Sequence, residues 1–298
     1  MDVKSVVIGW DGSTAAEAAI AWGVQVAQRR GAPIRVVSAI PWPYDSLGLA
    51  PQAAFDAAEV ANEVATQGRD KVVALLGDPD RVVAVGVPTT PATALVTESA
   101  TAGLVVIGNK GRSRIAQVFT GSATVGVVAH AQCDVAVVPA ERPQLPGPDR
   151  PVVVGVDGSD TSLAAAVQAG QIAAWWNAPL RIVQTWNLAD ALGWSGGPPG
   201  ATFLAEAARS LEQAARTSVD RTAEAVRQAH PGVHVETQVL EQHPAHVLAE
   251  LSETAGLVVV GTRGLGGFER LMLGSVSRYL VQHAAGPVIV VRGARRRH

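Results

Sequence analysis

Cysteine is nearly absent from this 298-residue chain. Cys133 stands alone, so no disulfide can close within it, and a reducing cytoplasm is the expected compartment. The opening residues, MDVKSVVIGWDGS, hold no long apolar core flanked by a cleavage site, so no secretory leader is expected. Long hydrophobic runs are missing too. Stretches such as Leu257-Val258-Val259-Val260 fall far short of the roughly 20 residues that span a bilayer, which removes the membrane as a partner. Positive charge is not in excess: 24 Lys and Arg face 26 Asp and Glu, for a net charge of -2. That excludes the broad basic field that drives binding to phosphate backbones, and nucleic acid is not an expected partner. The one strongly basic stretch, Gly293 to His298, reads as a solvated tail. Two phosphate-binding signatures are also missing: there is no G-x-x-x-x-G-K-[ST], and no complete G-x-G-x-x-G follows the first strand.

What is present is one unit written twice. With 48% hydrophobic and 17% charged residues the chain is globular in composition and long enough for two domains. VVIGWDGS (Val6 to Ser13) recurs as VVVGVDGS (Val152 to Ser159), and TAGLVVIG (Thr101 to Gly108) recurs as TAGLVVVG (Thr254 to Gly261). The offset between copies grows by seven between these motifs, from 146 to 153, and the insertion is assigned to the loop Gly193 to Gly200. The proline-rich run Arg142 to Arg150 reads as an extended connector without its own core. The expected division is therefore a first domain over 1–141, a linker over 142–150 and a second domain over 151–298.

Within each copy, short β-branched runs alternate with longer alanine-rich segments. Strands are expected at Ser5–Gly9, Ile34–Ile40, Arg81–Val87, Leu104–Gly108 and Val135–Val138, and helices near 13–30, 52–76, 91–102 and 121–131. In the second copy, strands are expected at Val152–Val156, Leu180–Trp186, Val233–Leu240, Leu257–Gly261 and Val288–Val291. Nearly continuous Val/Ile/Leu strands are buried on both faces, which means parallel strands covered by helices. The fold class is α/β: two tandem doubly wound, Rossmann-like domains. Ligands of such sheets bind at the carboxyl ends of the strands, where strand order reverses.

That edge carries the most informative pattern. Gly108-Asn-Lys-Gly111 is followed by nine residues and Gly121-Ser122, and Gly261-Thr-Arg-Gly264 by nine residues and Gly274-Ser275. Each Gly-Ser opens a helix, whose unpaired N–H groups and partial positive charge attract an anion; glycine removes the Cβ that would block its approach. The residues between the glycines differ in the two copies, so phosphate binding accounts for the pattern better than inherited turns do. Tight turns and a helix start are the competing account. Lys110 and Arg263 share one slot and are either cations for that anion or exposed turn residues. Asp11 and Asp157 each end a first strand before Gly-Ser; they cap the next helix, contact a ribose or metal, or do both.

A first strand ending in Asp together with G-x2-G-x9-G-[ST] resembles the ATP-binding class of universal stress proteins, and the doubling resembles their tandem form. The resemblance covers nearly the whole chain. It implies a five-stranded parallel sheet of order 3-2-1-4-5 in each domain, binding ATP, two per chain, with Mg2+ as a candidate companion ion. It also implies pairing of the two domains within the chain and a homodimer. Carried over by position, the first site comprises Asp11, Ala39, Ile107, Gly108, Gly111, Gly121, Ser122 and Ala123. The second comprises Asp157, Thr185, Val260, Gly261, Gly264, Gly274, Ser275 and Val276. The Ala39 and Thr185 positions are assigned adenine contacts, and the glycines and serines ribose and phosphate contacts. Thr124 and Ser277 match a small hydroxyl two residues after each serine.

Other constellations carry less. His243-Pro-Ala-His246 lacks a Cys or carboxylate at metal spacing and reads as surface histidines. His130 and His283 recur at the end of the last helix, where a histidine complements terminal carbonyls. Trp186 ends a strand beside the expected adenine position and reads as core. Lys110, Arg112 and Arg263 are cations, but no base that would activate a nucleophile is recognisable. The expected activity is ATP-dependent regulation of stress adaptation and growth, with at most weak ATPase activity; a slow hydrolase or phosphotransferase is the alternative.

Overall fold

The structure, a computed structural model, describes residues 3–41, 51–109, 122–188, 201–264 and 272–293, the side chains of 51–56, 122 and 201 aside. The chain divides into two compact units, Met1–Gln144 with Val281–Val290, and Leu145–Leu280 with Val291–His298.

The first unit runs β1 (Val6–Gly9), α1 (Thr14–Arg30), β2 (Ile34–Ala39), α2 (Pro51–Leu76), β3 (Val82–Val87), α3 (Pro91–Glu98), β4 (Leu104–Asn109), α4 (Ser122–His130) and β5 (Asp134–Pro139). The strands pair in parallel in the order β3-β2-β1-β4-β5, with Val6 beside both Ile34 and Leu104. This is the 3-2-1-4-5 order expected. Val6, Val7 and Ile8 are fully buried because helices cover both faces. A Cβ built on Gly23 of α1 would meet Ile8, and one on the neighbouring Gly9 would meet Leu95 of α3, so successive residues of β1 face different helices. Helix α1 is bounded as capping chemistry requires: the Ser13 hydroxyl accepts the Ala16 N–H, and Gly31 takes the left-handed conformation that ends it.

Residues Val281–Val290 group with this first unit. Within it β10 (Val288–Val291) runs antiparallel to β5, Ile289 opposite Ala136. An otherwise parallel sheet thus gains one antiparallel neighbour. In this place β10 supplies hydrogen-bond partners to the backbone groups along the outer side of β5.

The second unit repeats the pattern with β6 (Val152–Val156), α5 (Asp160–Trp176), β7 (Leu180–Trp186), α6 (Ala201–Ala229), β8 (Val235–Glu241), α7 (Pro244–Leu251), β9 (Leu257–Gly261) and α8 (Ser275–His283). Its parallel order, β8-β7-β6-β9, is the same 3-2-1-4 arrangement. The last residue of β10, Val291, accepts the Thr262 N–H at 3.0 Å. Ser159 caps α5 as Ser13 caps α1, and Asn177, at φ 49°, replaces the terminal glycine. The proline-rich connector is not simply extended: Gly147 and Arg150 exchange two backbone hydrogen bonds of 3.0 Å. The assigned insertion at Gly193 to Gly200 lies outside the described residues. No described helix is long and apolar enough to cross a membrane.

Cys133 sits at the start of β5, 9% exposed. Burial, helped by the Asp134 carboxylate, pushes its thiol up to about 12. At pH 8 the native thiol is expected to react with an aromatic disulfide reagent about three orders of magnitude more slowly than an ordinary cysteine, and to react rapidly in guanidinium chloride. Fast native labelling would overturn this reading.

Candidate functional site

The site begins with the turn that ends the first strand of each copy. In Asp157-Gly-Ser159, Gly158 has φ +88°, a conformation that strains any residue with a Cβ, and Gly12 has φ +78° in the same place. The turn folds the aspartate back on its own backbone: Asp157 Oδ1 accepts the Ser159 N–H at 3.1 Å and the Ser159 hydroxyl at 2.7 Å. In the first copy Asp11 Oδ1 accepts the Ser13 N–H at 3.0 Å. Neither aspartate is the helix cap, since that role falls to Ser13 and Ser159. The capping alternative for the aspartates is thereby corrected: they precede the cap by two residues.

Two motif glycines turn out to answer to packing. Gly108 ends β4 so close to the first turn of α1 that a Cβ would run into the Ala15 carbonyl. At the matching place in the second unit, a Cβ on Gly261 would lie 2.9 Å from Thr161 Cγ2, in the first turn of α5. The next glycine answers to the aspartate: a Cβ on Gly264 would clash with Asp157 Oδ2. The carboxylate and the second motif glycine are therefore in contact, an arrangement that spacing alone could not reveal.

The third glycine closes the loop. Gly274 donates its N–H to the Thr262 carbonyl at 2.8 Å and accepts the Arg278 N–H at 3.0 Å, so the loop from Thr262 is pinched where α8 begins. The buried Ser277 hydroxyl adds bonds to the Thr262 and Gly274 carbonyls at 3.3 and 3.1 Å. Its work is internal to the loop. The first-turn N–H groups of Ser275 and Val276 have no acceptor within the helix and carry its positive end.

These pieces surround a cavity of about 450 Å³ in the second unit, within the range of small-molecule sites. All eight residues expected there line it: Asp157 from β6, Thr185 from β7, Val260 and Gly261 from β9, Gly264 beyond it, and Gly274, Ser275 and Val276 at the start of α8. Arg263, the expected cation, lines it as well and is exposed. Sequence reading missed the apolar wall formed by Val183, Pro244 and Leu248. Val183 was within reach, because strand alternation puts it on the face of Thr185. The contribution of α7 was not, because it depends on helix placement. Trp186 follows Thr185, so alternation turns it to the opposite face, and it does not line the cavity.

In the first unit Asp11, Ala39, Ile107 and Gly108 stand at the carboxyl ends of β1, β2 and β4, and Ser122 and Ala123 open α4. Lys110, Gly111, Arg112 and Gly121 lie outside the described residues. His130 meets the Gly126 carbonyl at 2.9 Å, as expected for a histidine ending a helix. His243 and His246 pack ring to ring, with centroids 5.3 Å apart, and no group of three or more His, Cys, Asp or Glu able to hold a metal occurs among the described residues.

Comparison with known proteins points one way. A profile described as the universal stress protein family matches residues 2–139 and 150–292, one copy on each repeat. Universal stress protein Rv1996 of Mycobacterium tuberculosis is 33% identical over 313 residues, covering 96% of this chain and 94% of its own. Rv2005c of the same organism is 32% identical over 302 residues, covering 96% of both. Among solved structures, a universal stress protein from Archaeoglobus fulgidus superposes with a TM-score of 0.66 over 99% of this chain and 98% of that one, at 18% identity.

The unequal surroundings of the two strand-end glycines make a prediction. Gly108→Ala meets backbone that cannot step aside, and is expected to cost about 1–3 kcal/mol or more. Gly261→Ala meets a threonine methyl at 2.9 Å and the Arg263 carbonyl only at 3.3 Å, and is expected to cost less. Guanidinium unfolding midpoints of the two variants decide it; a larger loss for Gly261→Ala would refute the packing assignment.

Proposed function

The chain belongs to the universal stress protein family, and on that premise we propose that it is a nucleotide-binding regulator of stress adaptation that holds one ATP in each repeat. The observation that carries this reading is the cavity of the second unit, which gathers the aspartate, the three motif glycines and the Gly-Ser helix start from three separate segments. Its two ends suit the two ends of a nucleotide. Unpaired N–H groups at the start of α8, with Arg263 beside them, favour phosphate oxygens. Val183, Pro244 and Leu248 supply an apolar wall for a base, with Thr185 beside it. Asp157 is the carboxylate that can accept from ribose hydroxyls. Magnesium, where used, would be held through phosphates and water, because Asp157 is the one carboxylate among the described lining residues.

Occupancy rather than turnover is the proposed output. Hydrolysis needs a group to orient water and charge neutralisation at the γ-phosphate. The one carboxylate among the described lining residues, Asp157, is engaged by Ser159, and that favours retention of ATP over its cleavage. The same reading carries a cytoplasmic location, pairing of the repeats and self-association of the chain.

The test is to purify the chain without added nucleotide, denature it, and quantify what is released, with a time course for ADP. ATP near two per chain that persists is the expected result. Asp157→Ala and Gly274→Ala are expected to fold and to lower retention to about one per chain, by emptying the second site. Unchanged retention in both variants would refute the site assignment; absence of nucleotide with no binding of added Mg-ATP would refute the function, and rapid multiple turnover would replace it with the hydrolase.

A further inference from the structure

The two Asp-Gly-Ser turns have the same sequence but not the same bonds. In the second unit the Ser159 hydroxyl accepts the Ser162 N–H at 3.2 Å as the cap of α5, and at the same time donates to Asp157 Oδ1 at 2.7 Å. In the first unit the Ser13 hydroxyl accepts the Ala16 N–H at 3.2 Å, and the Asp11 carboxylate is reached by the Ser13 backbone N–H. The surroundings differ in the same sense. Asp157 is half-buried with Gly264 against Oδ2, whereas Asp11 is exposed.

We infer that Ser159 is a positioning residue of the second nucleotide site: its hydroxyl holds the Asp157 carboxylate for ribose recognition, a task Ser13 does not perform in the first site. This rests on the nucleotide reading above and adds an asymmetry to it. A carboxylate fixed by a charge-assisted hydrogen bond and by contact with a glycine backbone loses little further freedom when it meets a ribose hydroxyl. An exposed carboxylate that accepts, among the described residues, one backbone N–H and no hydroxyl keeps more side-chain freedom and gives up more on binding. The ligand group concerned is the vicinal diol of a ribonucleotide, so the consequence is selectivity for that diol at one site.

The experiment uses the full chain, uniformly labelled and freed of retained nucleotide by unfolding and refolding, with backbone amide shifts followed during titration by ATP and, separately, by 2′,3′-dideoxy-ATP. Ser275 and Val276 report the second site, and Ala123 and Thr124 the first. Ser159→Gly removes the hydroxyl, while glycine at an N-cap costs only a few tenths of a kcal/mol, so α5 is kept. It is expected to weaken ATP at the second site about tenfold and to change dideoxy-ATP there by less than about twofold. Ser159→Thr is expected to stay within about twofold of the parent, and Ser13→Gly to leave the first site within the same margin. Equal weakening of ATP and dideoxy-ATP by Ser159→Gly would mean general damage and overturn the role, as would matching losses from Ser13→Gly and Ser159→Gly in their own sites. If the parent's amides do not respond to either nucleotide, the nucleotide reading itself fails and this role falls with it.

Discussion

Each unit depends on how closely the first helix approaches the carboxyl edge of its sheet. In the first unit the Ala15 carbonyl occupies the space a side chain on Gly108 would need, and in the second Thr161 crowds Gly261. Parallel strands buried on both faces require helices packed tightly onto them, and where a helix begins directly over a strand end only glycine leaves room. The same approach puts the start of α5 beside the end of β9, and with it the Asp157-Gly-Ser159 turn beside the loop that follows β9. The site is a by-product of that packing: an edge where a carboxylate, a helix start and a glycine loop converge.

This changes what the glycine pattern means. As a string of residues, G-x2-G-x9-G-S looks like one device serving one anion. In the folded second unit its parts answer to different neighbours: Gly261 to a helix, Gly264 to the Asp157 carboxylate, and Gly274 to the Thr262 carbonyl it binds. Only Gly274-Ser275, with the N–H groups that follow, presents the positive end of a helix to the cavity. Tight turns and phosphate binding compete as accounts of the string, and the geometry gives Gly261 to packing. Ser277 falls on the structural side, its hydroxyl engaged in closing the loop.

Much of the fold was legible because the signals were local and repeated. Strands β6, β7 and β9 run over the residues expected of them, and α1, α2 and β4 depart by a residue at an end. Buried parallel strands and capped helices leave strong marks in sequence, namely unbroken Val/Ile/Leu runs and Ser or Thr before an alanine-rich segment. Less legible were features that depend on what lies across space. The antiparallel placing of β10 against β5 answers to the unsatisfied edge of a buried strand, and β10 reads like any other valine run. The paired turn at Gly147–Arg150 lies in a segment whose prolines suggested extension. The wall contributed by α7 appears in no motif, because Leu248 faces the cavity only through the way its helix lies on the sheet.

By itself the sequence determined that the chain is a duplicated α/β unit, where its buried strands run, and which residues end at the carboxyl edge. It could do so because strand burial, capping and the need for glycine at tight places are properties of a few consecutive residues. Only the tertiary structure decided how the aspartate and the glycine loop meet, and that Ser159 bonds its aspartate through both its backbone N–H and its hydroxyl while Ser13 does so through the backbone. Two turns of identical sequence carry different hydrogen bonds. A hydroxyl's partner is chosen by a few tenths of an ångström of packing that no local pattern records.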